Sequence, residues 1–304
     1  MNIIFMGSPD FAIPSLEKIS NSEFNLKAVV SNVDKRRGRG SSVAPTPVKE
    51  KAEQLGVPVI EVDDLNDPAF AEQLASLQAD IFVVVAFRIL PKNILEIPKI
   101  GSINLHASLL PKYRGAAPIH WAVINGEEET GCTIFFLDEK VDTGKIILQK
   151  KTLIDDNETT GEVYSRLMDM GSDALLEAMY LIESGSHTEV TQDDALATPA
   201  PKLFRETCHI DFEKPAREVH NKIRGLSPFP TAWANLDGEK FNLYRSRLGP
   251  IANIDPGELL VRGDKLLVGC GDGTVELLEI QLPGKKRMET KNFLAGNTLE
   301  GTLK

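Results

Sequence analysis

Short apolar runs alternate with segments of helical spacing through the first half of the chain. "NIIFMG" reads as an opening strand, followed by a helix around "PSLEKI", and "LKAVVS" and "VPVIEV" supply two further strands. "ADIFVVVAF" is apolar almost throughout, as expected of a central parallel strand covered on both faces. "GSINLH" is a shorter run of the same kind. This alternation predicts an α/β fold with a doubly wound, mainly parallel sheet, whose ligands lie beyond the carboxyl ends of the strands. "GCTIFFLDEKVDTGKIILQKKTLI" predicts two strands joined by an acidic, glycine-containing turn. "TTGEVYSRLMDMGSDALLEAMYLIESG" predicts a helix that closes at Ser-Gly.

The pattern then changes. "HTEVTQDDALATPAPKLFRETC" is polar and contains proline, and beyond it come "TAWANL", "KFNLYRSRL", "GELLVR", "KLLVGC" and "GTVELLEIQL", short strands separated by Gly/Asp turns. The expected organisation is an α/β domain over residues 1–188, a linker over 189–207 and a small OB-like β-barrel over 208–304. A β-sandwich would give a similar strand pattern.

Composition refines this picture. The chain of 304 residues has 42% hydrophobic and 26% charged positions, which suits an ordinary globular protein. The opening apolar run is too short for a signal peptide, and no run approaches a membrane span, so a cytoplasmic protein with no membrane partner is expected. Cys132, Cys208 and Cys270 lie far apart outside any CxxC spacing and read as buried thiols. The net charge of −10 is unevenly spread: residues 1–200 hold 18 Lys+Arg against 30 Asp+Glu, whereas residues 201–304 hold 16 against 14. Local basic clusters can therefore still form a footprint for nucleic acid.

Candidate chemistry gathers at "INLHASLLPKYRGAAPI". Asn104 and His106 are two apart, so on a strand their side chains share a side. At the carboxyl end of a parallel strand both would face a ligand site. Such a histidine needs a carboxylate to hold it protonated and oriented, and Asp142 in "VDTG" is the candidate. Asn, His and Asp in one cleft suit acyl transfer, where an oxyanion needs donors and a proton must move. By spacing alone, a capping Asn beside a satisfied His is the more ordinary explanation. "MGSPDF" lacks the glycines of a dinucleotide fingerprint, and none of the five histidines stands in a metal-binding spacing, so no metal is expected.

Between the second strand and the next helix, "DKRRGRGSS" places Lys35, Arg36, Arg37 and Arg39 in a loop at the same sheet edge as His106. A solvated surface explains such a run, and contact with a phosphate-bearing substrate explains it too. Lys202, Arg205, Lys222, Arg224, Arg245, Arg247, Lys285, Lys286 and Arg287 are further cations that together could track a nucleic-acid backbone.

These segments resemble the methionyl-tRNA formyltransferase family. "INLHASLLPKYRGAAPI" is similar to the signature of enzymes that use 10-formyltetrahydrofolate, and "VDTGKIILQ" to their downstream acidic motif. "DKRRGRGSSVAPTPVK", "RGLSPFPTAW" and "GDGTVELLEIQLPGKKRM" resemble segments of the tRNA enzymes, and the likeness runs from Met1 almost to Lys304. The resemblance implies the formyltransferase fold and transfer of a formyl group from 10-formyltetrahydrofolate, as co-substrate, to the methionine of initiator Met-tRNA; a monomer is expected. It implies Asn104, His106 and Asp142 as the catalytic trio. Ser108, Leu109, Leu110 and Pro111 would form the folate-binding turn, with Phe87 and Arg88 also at the folate. Lys35, Arg36, Arg37, Arg39, Lys202, Arg205, Lys285, Lys286 and Arg287 would contact tRNA. One departure stands out: "AFRILP" carries Arg88 where the family commonly has Gly, in a segment that lines the pterin pocket. Two alternatives are another 10-formyltetrahydrofolate enzyme with a non-tRNA substrate and a non-enzymatic tRNA-binding module. The basic loop and the C-terminal strands disfavour the first, and the retained Asn, His and Asp disfavour the second.

Overall fold

The computed structural model describes residues 1–36 and 43–304. Arg37 and Arg39 lie outside the described residues. The chain divides into two compact units, the first comprising Met1–Gly115, Gly131–Thr152 and Ser165–Pro199, the second Ala116–Thr130, Leu153–Tyr164 and Ala200–Lys304.

The first unit is built on a seven-stranded sheet. Its strands are β1 (Asn2–Gly7), β2 (Asn25–Asn32), β3 (Val59–Val62), β4 (Ile81–Val85), β5 (Gly101–His106), β6 (Glu129–Phe136) and β7 (Ile146–Leu153), in the order β7-β6-β5-β4-β1-β2-β3. The ladders β3–β2–β1–β4–β5 are all parallel, and β6 joins antiparallel with His106 opposite Thr133. Every residue of β4 is buried, as its unbroken apolar run predicts. Ile4, Met6, Phe70, Leu74, Phe82, Val84 and Ile94 form one core layer of this unit. Helices α1 (Ile13–Ser20), α2 (Pro47–Gln54) and α3 (Pro68–Ser76) connect the parallel strands. Each of the last two starts with proline behind a capping side chain: Thr46 accepts from Lys49 N at 3.1 Å and Asp67 from Ala69 N at 2.9 Å. The chain switches direction between β1 and β4, so the carboxyl ends of β4 and β5 open onto the ligand edge of the sheet.

Residues expected to form a linker instead pack against this unit. Val190 pairs with Ile146, and Gln192 is buried among the residues of the turn before β7. After α4 (Lys92–Leu95) and α5 (Pro118–Ile124), the helix α6 (Thr160–Glu183) begins at a capping box, with Glu162 Oε2 accepting from Thr159 N at 2.8 Å.

The second unit carries a second set of strands: β8 (Ala232–Leu236), β9 (Glu239–Leu248), β10 (Leu259–Arg262), β11 (Lys265–Cys270), β12 (Gly273–Gln281) and β13 (Met288–Glu289). Their order is β8-β9-β12-β11-β10, with β13 paired to β12, and the ladders are antiparallel. The expected OB-type barrel is thus an antiparallel sheet by its strand ladders. Its two end strands are reached by the C-terminal tail, which exchanges hydrogen bonds with Asn235 through Lys304 and with Gly257 and Leu259 through Leu303 and Gly301. Phe241, Leu243, Leu266, Val268, Val275 and Leu277 fill its core together with Val219 and Ile223 of α7 (Ala216–Gly225). The three cysteines are buried; burial pushes the Cys132 thiol up to about 11 and that of Cys270 up to about 12, which leaves both unreactive near neutrality. No helix among the described residues is long and apolar enough to cross a membrane.

Candidate active site

His106 ends β5 and is only 7% exposed. Its Nε2 lies 2.8 Å from the carbonyl oxygen of Tyr113. A carbonyl can only accept, so Nε2 carries a proton and the tautomer is set by the backbone. The other nitrogen, Nδ1, faces Oδ2 of Asp142 at 3.8 Å, beyond hydrogen-bond range but close enough for charge attraction. The ring stands perpendicular to that of Phe135, with 6.5 Å between centroids.

Asp142 sits in the turn between β6 and β7 with a φ of 55°, in the left-handed region. Its Oδ2 accepts from Gly115 N at 2.8 Å, so the carboxylate is aimed by the same loop whose Tyr113 carbonyl aims His106. Asn104 lies two residues before His106 and donates from Nδ2 to Val84 O on β4 at 3.1 Å. It lines a cleft with Asp138 and Asp142, and the apolar walls come from Phe87, Leu90, Leu95 and Leu137. The structure therefore brings Asn104 and His106 each to Asp142. The amide offers a second N–H, the imidazole a movable proton and the carboxylate a fixed negative charge. Among the described residues no group of three or more His, Cys, Asp or Glu is placed to hold a metal ion.

The other expected site residues divide. Phe87 and Arg88 line the cleft, but the Arg88 guanidinium turns back to the end of β3, donating to Val62 O at 2.8 Å and Asp63 O at 2.6 Å. It stacks over the Phe87 ring at 5.5 Å. Arg88 thus buttresses the wall where the family's glycine would leave it open. With the folate in this cleft, as the resemblance implies, Arg88→Ala should raise its KM about tenfold through a looser Phe87 wall, while kcat changes less than about twofold. Steady-state kinetics at varied folate checks this; an unchanged KM would mean the wall stands without the buttress.

Ser108–Pro111 does not line that cleft. Ser108 Oγ donates to Lys112 O at 2.7 Å, and Thr133 Oγ1 donates to Ser108 O at 2.6 Å. Gln149 Nε2 donates to Leu110 O at 2.8 Å. The turn is spent on its own backbone and on β6 and β7, and it shapes the loop that leads to Tyr113. The sequence reasoning missed Tyr113 and Gly115, because main-chain acceptors and donors leave no trace in residue type, and Gln192, because its side chain comes from a stretch that reads as a linker.

The basic candidates also divide. Lys202, Arg205, Lys285 and Lys286 are exposed. Arg287 is exposed but committed to Glu279, at 2.7 and 2.6 Å, with its guanidinium 4.2 Å over Tyr244. Arg245 and Arg247 are likewise paired with Glu162 and Glu276. Lys222 donates to His209 O at 2.7 Å, and buried Arg224 donates to the carbonyls of Asp155 and Glu158, so both are structural. Lys35 and Arg36 form a short backbone ladder with Val43 and Ala44. Two other histidines are spent inside the second unit: His120 donates to Phe229 O and His220 to Asp156 O, and burial pushes both below the usual imidazole range.

Comparison with known proteins accords with this geometry. The formyl transferase family matches residues 1–179, and its C-terminal domain family matches residues 202–298. A methionyl-tRNA formyltransferase of Chlorobium phaeovibrioides is 45% identical, covering 97% of this chain and 95% of that one. Its counterpart from Clostridioides difficile is 42% identical and covers 100% and 99%. An N-formyltransferase from Helicobacter canadensis, solved with folinic acid and dTDP-3-aminofucose, shares the fold with a TM-score of 0.70 at 22% identity, covering 90% of this chain and 98% of that one. With both halves matched in order and relatives aligned along nearly the whole chain, the protein belongs to the formyl transferase family and, within it, to the methionyl-tRNA formyltransferases.

Proposed function

We infer that the chain transfers the formyl group of 10-formyltetrahydrofolate to the amino group of methionine esterified to initiator tRNA. The near full-length likeness to methionyl-tRNA formyltransferases carries this reading. His106 and Asp142, facing each other at 3.8 Å beside an apolar cleft, supply it with chemistry. At about 80 Å³ the cleft takes only part of the folate: Phe87, Leu90, Leu95 and Leu137 offer apolar walls to a flat ring, and Asn104, Asp138 and Asp142 offer polar groups to its edge. Bound there, 10-formyltetrahydrofolate supplies an electrophilic formyl carbon.

The chain's residues do the rest. Asn104 keeps one amide hydrogen on Val84 O and turns the other toward negative charge developing on the formyl oxygen. His106 holds its Nε2 proton on Tyr113 O, so Nδ1 is the nitrogen that exchanges a proton. Asp142 stabilises the imidazolium that results. The methionine amine must shed a proton as its new bond forms, and the departing nitrogen must gain one; His106 carries it between them. An α-amino group titrates at about 7.7–8.0, so no strong base is needed. Ser108–Pro111 serves by shaping the loop to Tyr113. Lys202, Arg205, Lys285 and Lys286 are the exposed cations suited to the RNA backbone, with Lys35, Arg36, Arg37 and Arg39 assigned to the acceptor stem on the resemblance alone.

Formyl transfer from 10-formyltetrahydrofolate to purified Met-tRNA and to free methionine tests this reading. The expected kcat/KM is about a thousandfold higher for Met-tRNA, because remote contacts raise the rate at the amine. Equal values on both acceptors would overturn the tRNA assignment and leave a formyltransferase for a small amine.

A further inference from the structure

Gln192 lies in a segment that looks like a linker, yet it is only 8% exposed and every polar position of its side chain is used. The Nε2 group donates to Asp142 O at 3.0 Å and to Gly144 O at 2.8 Å. The Oε1 atom accepts from Arg114 Nε at 3.1 Å and from an Arg114 terminal nitrogen at 2.8 Å. Two carbonyls on one side demand the NH2, and a guanidinium on the other demands the oxygen, so the amide has a single orientation. Arg114 also reaches Asp194 at 2.8 Å, which anchors it from the far side.

Arg114 is the middle residue of a hub. Its predecessor Tyr113 accepts from His106 Nε2, and its successor Gly115 donates to Asp142 Oδ2. The backbone of Tyr113–Gly115 thus orients both members of the His–Asp pair, and the side chain between them is clamped by Gln192 onto the backbone of the Asp142 turn. Asp142 has a left-handed φ that an aspartate adopts at some cost, so its turn needs such a restraint.

We propose that Gln192, acting through Arg114, is a positioning residue for the transfer reaction: it locks the Asp142 turn to the Tyr113–Gly115 loop and so sets the distance and direction of the carboxylate from His106. This rests on the assignment of His106 and Asp142 as the reacting pair. Gln192 touches no substrate; it acts on catalysis only by fixing where Asp142 stands.

A double-mutant cycle tests it. Gln192→Met keeps the side-chain length and removes all of its hydrogen bonds; it should lower kcat about a hundredfold, the cost of a misplacement near 1 Å, with the KM for folate changed less than about twofold. Asp142→Asn should also be impaired, and in that background Gln192→Met should change kcat by less than about twofold, because there is no carboxylate left to aim. Arg114→Met attacks the same clamp from its other end and should reproduce the pattern, which covers the case in which Gln192→Met does not fold. An Asp142→Asn enzyme that is impaired beside a Gln192→Met enzyme with normal kcat overturns the clamp alone. Equal losses from Gln192→Met in both backgrounds also overturn it, since a merely structural residue behaves that way. A normal kcat for Asp142→Asn overturns the clamp and the assignment of the reacting pair together.

Discussion

His106→Ala is expected to lower kcat by about a thousandfold while leaving the Kd for Met-tRNA within about twofold. The figure is that expected for loss of a positioned proton carrier. Binding is spared because the imidazole is buried and its nearest partners belong to the chain itself: the Tyr113 carbonyl, the Asp142 carboxylate and the Phe135 ring. Folding is expected to survive, since the truncation strands one carbonyl and opens a small cavity, about 1–3 kcal/mol in all. Single-turnover formylation and filter binding of labelled tRNA on the same preparation separate the two quantities. A parallel fall in affinity and rate would make His106 a structural residue of the strand end, the ordinary reading of its spacing.

The second large effect is expected at Gly144, two residues past Asp142. A Cβ built there would run into the carbonyl oxygen of Phe136, at the point where Phe136 N donates to Lys145 O at 2.9 Å and the two arms of the turn close. The obstacle is backbone, so no rotamer change relieves it. Gly144→Ala must spread the end of the β6–β7 connection, and it disturbs the carbonyl of residue 144 that Gln192 holds. The expected cost is about 2–4 kcal/mol, which in a unit of this size lowers Tm by roughly 5–15 °C. Below that lower Tm, kcat should fall by at least about tenfold, because the Asp142 carboxylate no longer stands opposite His106. Thermal unfolding followed by circular dichroism, with kcat measured well below the transition, tests both halves. A variant with wild-type Tm and kcat would show that the turn tolerates the displacement and that Asp142 is not held by it.

The hydrophobic pattern alone made the α/β unit legible. The unbroken run at Ile81–Val85 became the central strand, and "GSINLH" ended at His106 as its register requires. Asn104, His106 and Asp142 stood out as a candidate trio only through the family resemblance, since spacing alone made a capping Asn beside a satisfied His the more ordinary explanation. Residue type does not reveal where a hydrogen bond ends. The Ser108–Pro111 turn was read as the folate-binding turn, with no sign in the sequence that its polar groups bond to Lys112, Thr133 and Gln149. Arg88 was placed at the folate on the resemblance, but its guanidinium is drawn back to two carbonyls at the end of β3. Arg287 was counted with the RNA-facing cations, but Glu279 claims it.

By itself the sequence determined the succession of local strands and helices and the position of His106 at a strand end, because periodicity is a local property. Only the tertiary structure decided which cations stay exposed, where the polar stretch after α6 lies, and how His106 and Asp142 come to face each other. Those outcomes depend on main-chain donors and acceptors from Tyr113, Gly115 and the Asp142 turn, with Gln192 joining them from far along the chain. Every residue carries such backbone groups, so their partners are fixed by folding and not by the letters of the sequence.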